Sequence, residues 1–213
     1  MKKIVLGFKQ FQSSYFKKNK TLFSQLAKQQ SPEILFITCS DSRIDPNLLT
    51  QTEPGELFVI RNAGNIIPPY TKSKCGFAAS IEFAVQVIGV KHVIVCGHSD
   101  CGAMKGALHP SKISKLTDVK NWLDYSKGAA EKVKSKNYKT AINQLHEVAK
   151  QNILLQIHNL RSYPAISQKL AVDTLDIHGW FYDIGHGLME SYDSSVDNFI
   201  TLDMMYSKLI EER

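Results

Sequence analysis

Two short segments hold residue types that could together grip a metal ion. They are Cys39-Ser40-Asp41-Ser42-Arg43 and Gly97-His98-Ser99-Asp100-Cys101-Gly102. His98 and Cys101 stand three residues apart, so one turn of chain presents both to a common point. Cys39 would have to come from the other segment. Two thiols and one imidazole form a recognised catalytic zinc set, which leaves the fourth tetrahedral position for water; a structural zinc is closed by four protein ligands. No fourth cysteine or histidine stands at an evident spacing. Asp41 could itself ligate such a metal. Paired with Arg43, it would be held off the metal and kept ionised, free to accept the proton of zinc-bound hydroxide and aim its oxygen at an electrophile.

The elements on either side must bring these segments together. Ile34-Leu35-Phe36-Ile37-Thr38 is a continuous apolar run of strand length that ends at Cys39, as in a strand buried on both faces. Leu57 to Ile60 reads as a second strand, and His92 to Cys96 as a third, closed by Gly97. Residues 76–88 read as a buried helix, apolar almost all round. Residues 111–126 and 138–160 read as surface helices, and a shorter one starts near Pro164. Thr174 to Ile184 reads as a last strand, with Gly185 and Gly187 as a turn and a short helix in the tail. Residues 8–29, with Phe8, Phe11, Tyr15, Leu22, Phe23 and Leu26 at largely helical spacing, read as an amphipathic helix. It would lie across a partner subunit or on its own core, and Pro32 stops it. Strands alternating with helices predict one α/β domain over residues 1–213. Its central sheet is mainly parallel with a C-terminal antiparallel strand, helices cover both faces, and residues 1–31 form an N-terminal helical arm. In such sheets ligands bind beyond the carboxyl ends of the strands, where strand order reverses. If the first and third strands are neighbours, the two polar segments meet there.

Bulk properties narrow the function classes. The 213 residues are 43% hydrophobic and 22% charged, which suits a full globular core rather than disorder. The net charge of +6 is spread over scattered lysines, with no arginine stripe or basic patch interleaved with aromatics, so no nucleic-acid partner is expected. No run approaches the ~20 apolar residues of a membrane span, and the start lacks a signal-peptide pattern. A cytoplasmic protein without a membrane partner is the expectation. In a reducing compartment the four cysteines, Cys39, Cys75, Cys96 and Cys101, are read as metal-binding or core residues rather than disulfides.

Each residue also has a plainer use. Alone, Cys39 or His98 is more often core than ligand, and an Asp41–Arg43 pair is more often a structural ion pair. Joint placement after two strands is what favours chemistry. Cys96, inside a strand, and Cys75, at a helix start, keep the plain reading, as do His178 and His186. A thiol phosphatase would need a longer loop than the three residues between Cys39 and Arg43. No G-x-G-x-x-G follows a strand, which removes the dinucleotide fingerprint. A non-enzymatic zinc module stays open.

At these segments the chain resembles the beta-class carbonic anhydrases, whose signatures are a Cys-Ser-Asp-Ser-Arg loop and a Gly-His-Ser-x-Cys-Gly loop. The likeness extends to Glu53-Pro54-Gly55-Glu56-Leu57-Phe58, Arg61-Asn62-Ala63-Gly64-Asn65 and His178-Gly179-Trp180-Phe181-Tyr182-Asp183. The resemblance implies reversible hydration of CO2 to bicarbonate and a proton by zinc-bound hydroxide. One zinc ion per chain would sit on Cys39, His98 and Cys101, with Asp41 and Arg43 as catalytic residues. It further implies substrate contacts from Gln30, Phe58, Ala63, Phe83 and the Gly102 backbone N–H. Phe83 stands where a tyrosine is common, and Ala63 where a valine is. Self-association as a homodimer or homotetramer is also implied. Of the family's subtypes, Gln30 in Gln30-Ser31-Pro32 matches the plant-like one. The allosteric type binds an inhibitory bicarbonate through a tryptophan, an arginine and a tyrosine. Arg61 and Tyr182 match two of these, but Phe36 occupies the tryptophan position, so the plant-like, constitutively open site is expected. Carbonyl sulfide and carbon disulfide are alternative substrates of related enzymes.

Overall fold

Four apolar residues in a row, Ile34 to Ile37, open an interior strand of a six-stranded sheet. A computed structural model describes residues 1–71 and 76–211; Cys75 lies outside them. Strand β1 is Ile34–Cys39, and every residue after Ile34 is buried. It is flanked in parallel by β2 (Leu57–Asn62) and β3 (His92–His98). Beyond β3 comes β4 (Asp176–Asp183), also parallel. The strand order is β2-β1-β3-β4-β5-β6. Two antiparallel strands follow β4: β5 (Leu188–Asp193) and β6 (Asn198–Thr201). The sequence reading expected one. Its turn at Gly185 and Gly187 is the β4–β5 hairpin, and β6 follows from a second hairpin that carries Asp197 at φ 49°. Short, mixed-polarity strands such as Leu188–Asp193 lack the alternation that would have flagged them.

The helices fill in between. Helix α3 (Pro46–Thr50) starts on Asp45, whose carboxylate accepts from the Leu48 N–H at 3.3 Å, and Pro46 takes the first helical position. The expected helix over 76–88 is α4 (Gly76–Glu82) continued by a wide π turn, Phe83–Ile88, that ends on Gly89. Next come α5 (Gly102–Leu108), α6 (Thr117–Leu123) and α7 (Lys127–Lys134). The single helix expected over 111–126 is therefore a 3-10 turn at Pro110–Ile113 and then α6. Helix α8 (Ala141–Leu160) is capped by Thr140, which accepts from the Asn143 N–H at 3.1 Å. It is no surface helix: Val148, Ala149, Ile153 and Leu160 are in the core. Gly97 on β3 and Gly179 on β4 let it approach, because a Cβ at either would come within 2.9 Å of Ile153 or Ile157. Helix α9 (Pro164–Ala171) precedes β4, and α10 (Leu202–Met205) and α11 (Ser207–Glu211) end the described chain.

Contacts divide the chain into two units, Met1–Ser31 and Pro32–Arg213. In the second, Leu35, Ile37, Val93 and Val95 join the main core, while Phe36, Ile94 and Cys96 form a smaller cluster with Trp180, Tyr182 and Met189. Fully burying such side chains is worth about 1.5–3 kcal/mol each. In the first unit, the continuous helix expected over 8–29 is broken into α1 (Lys2–Phe11), a π turn (Gln12–Phe16) and α2 (Lys20–Leu26). Ser13 and Ser14 donate back to the Gln10 carbonyl at 3.2 and 2.6 Å, the kind of side-chain bond that bends helices. The break folds the aromatics onto one another. Phe11 and Phe23 meet edge to face at 5.6 Å, and Phe16 lies 4.9 Å from Phe23.

Candidate metal centre

The chain leaves β1 toward β2 on one side and returns to β3 on the other, so strand order reverses between β1 and β3. The loops after these two strands carry the polar segments, and they converge at the predicted switch point. Cys39, His98 and Cys101 offer ligand atoms that all lie within 4.8 Å of one another, and all three residues are buried. The two sulfurs are 4.0 Å apart. Zinc–sulfur bonds of about 2.3 Å in a tetrahedron require roughly 3.8 Å.

The imidazole shows how the donor set is prepared. His98 Nδ1 lies 2.8 Å from the Ser99 carbonyl, an acceptor only, so Nδ1 carries the proton and Nε2 presents a lone pair. That Nε2 is buried without a hydrogen-bond partner. A buried unsatisfied nitrogen is costly, and a metal ion shared with the two sulfurs removes the cost. The thiols are prepared as well. The hydrogen bond from the Cys101 thiol holds the Cys39 pKa well down, helped by the backbone N–H groups of Gly64 and Asp41. Gly64 N lies 3.3 Å from the sulfur. Cys101 is driven upward by its bond to Cys39 and by burial. Cys96 is the contrast: burial alone raises it to about 12.

Asp41 and Arg43 form the expected pair. Arg43 Nε donates to Asp41 Oδ1 at 2.9 Å and Nη2 to Oδ2 at 2.8 Å, a two-pronged grip reinforced by the Arg43 backbone N–H. These bonds hold the Asp41 carboxyl well below the usual carboxylate range. Asp41 Oδ2 stands 4.0 Å from His98 Nε2, at the edge of the centre.

Several supporting residues went unnoticed in the sequence. Arg43 is held from its far side by Asp100, whose carboxylate accepts from Nη1 at 2.9 Å and whose carbonyl accepts from Nη2 at 3.2 Å. Asp100 adopts φ 57° to do so and also pairs with Lys105. Arg61 donates to the carbonyls of Cys39 and Asp41 at 3.1 and 2.8 Å, fixing the first loop. Gly64, at φ +82° and with no room for a Cβ against Ala103, is tied down by a row of amides on α8. Asn152 donates to the Gly64 carbonyl, Gln156 accepts from the Ile67 N–H, and Asn159 donates to the Ile67 carbonyl. Three buried amides at helical spacing on an otherwise apolar face were the available signal.

The remaining predicted residues are less tightly gathered. Phe58 is half-buried with its ring 6.2 Å from that of Phe83, which is 44% exposed. Ala63 is exposed, and its carbonyl accepts from the Trp122 indole at 2.8 Å. Gly102 opens α5 directly after Cys101. Gln30 is exposed and belongs to the first unit. A cavity of about 410 Å³ beside α5 is lined by Gly102 but by none of the three ligand candidates.

A buried Cys2His cluster, set at the switch point of a mostly parallel sheet, is the donor set of a catalytic metal protein of the α/β class. A sequence model of the carbonic anhydrase family matches residues 34–189. The chain is 42% identical to a carbonic anhydrase of Pseudomonas aeruginosa, over 95% of this chain and 92% of that one. It is 45% identical to one of Synechocystis, over 94% of this chain and 74% of the relative. The solved structure of the beta-carbonic anhydrase CcaA superposes with a TM-score of 0.90 at 43% identity, covering 94% of this chain and 91% of that one. A tetrameric beta-carbonic anhydrase of Sordaria macrospora gives a TM-score of 0.78 at 33% identity, over 88% of this chain and 94% of that one. The chain belongs to the carbonic anhydrases, in their beta class: zinc enzymes that reversibly hydrate CO2 to bicarbonate and a proton.

Proposed function

We propose that Cys39, His98 and Cys101 hold one zinc ion per chain, and that Asp41, fixed by Arg43, steers the attacking oxygen in CO2 hydration. The observation that carries this is the lone, buried His98 Nε2 facing two sulfurs, with a restrained carboxylate 4.0 Å away. Zinc, when bound, supplies the Lewis acidity that makes hydroxide available from water near neutral pH. The chain's own residues do the rest. Asp41, ionised and doubly gripped, accepts a hydrogen bond from the nucleophile's proton and turns its lone pair toward carbon. Phe58, Phe83 and Ala63 offer an apolar wall for a linear, nonpolar substrate. The Gly102 N–H donates to a substrate oxygen.

The open, plant-like subtype is part of this reading. Phe36 is fully buried against Trp180 and has no N–H for an inhibitory anion, and Arg61 spends donors on backbone carbonyls. Residues 1–31 act as an arm in self-association, in keeping with the exposed Ile4, Val5, Leu6 and Phe8 and with the tetrameric Sordaria relative. No helix of the described residues is long and apolar enough to cross a membrane, and a cytoplasmic site of action is proposed. Metal analysis coupled to stopped-flow CO2 hydration tests the whole. At the Cys39–His98–Cys101 centre, one zinc per chain with rapid hydration is expected; zinc held there without hydration would leave a metal-binding module instead.

A further inference from the structure

Among the described residues, one other group of side chains converges like a metal site: His92, Asp176 and His178. It lies at the opposite end of β3. His92 and Asp176 are partners in the parallel β3–β4 ladder, and His178 follows two residues on, so alternation puts all three on one face of the sheet. His178 Nε2 stands 3.4 Å from His92 Nδ1, and His92 Nδ1 stands 3.4 Å from Asp176 Oδ2. The three ligand atoms fall within 4.8 Å of one another.

We infer that His92, Asp176 and His178 form a second binding site for a divalent transition-metal ion, clamping β3 to β4. For bonds of about 2.0–2.1 Å to imidazole nitrogen and carboxylate oxygen, the edge of a coordination tetrahedron is roughly 3.3–3.4 Å, which is the spacing of His92 Nδ1 from both His178 Nε2 and Asp176 Oδ2. Two imidazoles and a carboxylate suit zinc, nickel, cobalt or copper rather than magnesium or calcium. His178 is also oriented from behind: its Nδ1 lies 3.0 Å from the Tyr206 hydroxyl. With Nδ1–H donating to that oxygen, Nε2 is free to ligate, as in metal sites whose histidines are fixed by their other nitrogen. Side chains of His92 and Asp176 are 41% and 64% exposed, leaving an entry path and room for water on the remaining corner.

The inference does not depend on the catalytic reading. Six residue steps along β3 separate His92 from His98, roughly 20 Å of extended strand, so the two centres load separately. The test is equilibrium dialysis of the untagged, zinc-loaded chain against added Zn2+, followed by elemental analysis, with CO2 hydration measured in parallel. Two zinc ions per chain are expected for the wild type. One is expected for the His92→Gln/Asp176→Asn double variant, with its hydration rate unchanged to within about twofold. Should the double variant fail to fold, Asp176→Asn alone, at an exposed carboxylate, is expected to lose the second zinc at the same free concentration. A single zinc in the wild type, or a second zinc retained by the folded variant, overturns the site.

Discussion

Strand β3 carries a histidine cluster at each end, and the two ends are built differently. At the carboxyl end, His98 is 1% exposed, its Nδ1 is committed to a backbone carbonyl, and its partners are two buried thiols, Cys101 from its own loop and Cys39 from the loop after β1. At the amino end, His92 and Asp176 are open to solvent and only His178 is substantially covered. The residue types overlap; the support does not. Around Cys39 and His98, backbone N–H groups, Arg61, Arg43 and the α8 amides fix nearly every neighbour. Around His92 there is one tyrosine hydroxyl, reached through His178. Chemistry that must hold atoms to fractions of an ångström belongs where the surroundings are over-determined, and that is the carboxyl end alone.

The comparison can be broken at several points. Cys39→Ala removes a ligand from the rigid end. Zinc at that centre and CO2 hydration should both fall to background, measured by elemental analysis and stopped flow. Asp41→Ala leaves all three ligand candidates in place, so zinc should stay near one equivalent at that centre while kcat/KM falls by about 10²-fold or more, as for loss of a positioned proton acceptor. Equal loss of zinc and rate would make Asp41 a ligand instead. Gly97→Ala pushes a methyl group into Ile153 and should destabilise the second unit by about 1–3 kcal/mol, read as a lower denaturant midpoint.

The smallest effect is expected at the amino end. His178 titrates below its ordinary value of 6.5, first because of burial and then because of His92. The unfolded chain therefore binds the proton more readily, and stability is lost as pH falls through 6.5 toward the folded value. Without added metal, His178→Gln should flatten the acid side of the stability–pH curve while leaving hydration at pH 8 unchanged. An unaltered acid limb would mean that the His178 proton is not coupled to folding.

Much of this was legible in the chain because it depends on local chemistry. The unbroken apolar run before Cys39 reads as a buried strand because only such a strand lacks a polar face. The three-residue step from His98 to Cys101 places both on one turn. Asp41 and Arg43 are too close in sequence to miss each other. The breaks in residues 8–29, the amide row on α8 and the strand Asn198–Thr201 were not legible. Serine back-bonding, partner carbonyls distant in sequence and hairpin pairing leave no periodic trace.

What the residues alone settled is the inventory: two thiols, an imidazole and a carboxylate with its own guanidinium, a donor set for zinc, while the reaction came from the likeness of the two loops to a known family. The fold settled their meeting. Alternation along β1 puts Cys39 in phase with Leu35 and Ile37, whereas His98 falls in phase with Ile94 and Cys96. Side chains from opposite phases reach one point only beyond the strand ends, where β1 and β3 lie adjacent and their loops converge. That adjacency comes from burying the whole sheet, a sum over long-range contacts that no short stretch of chain contains.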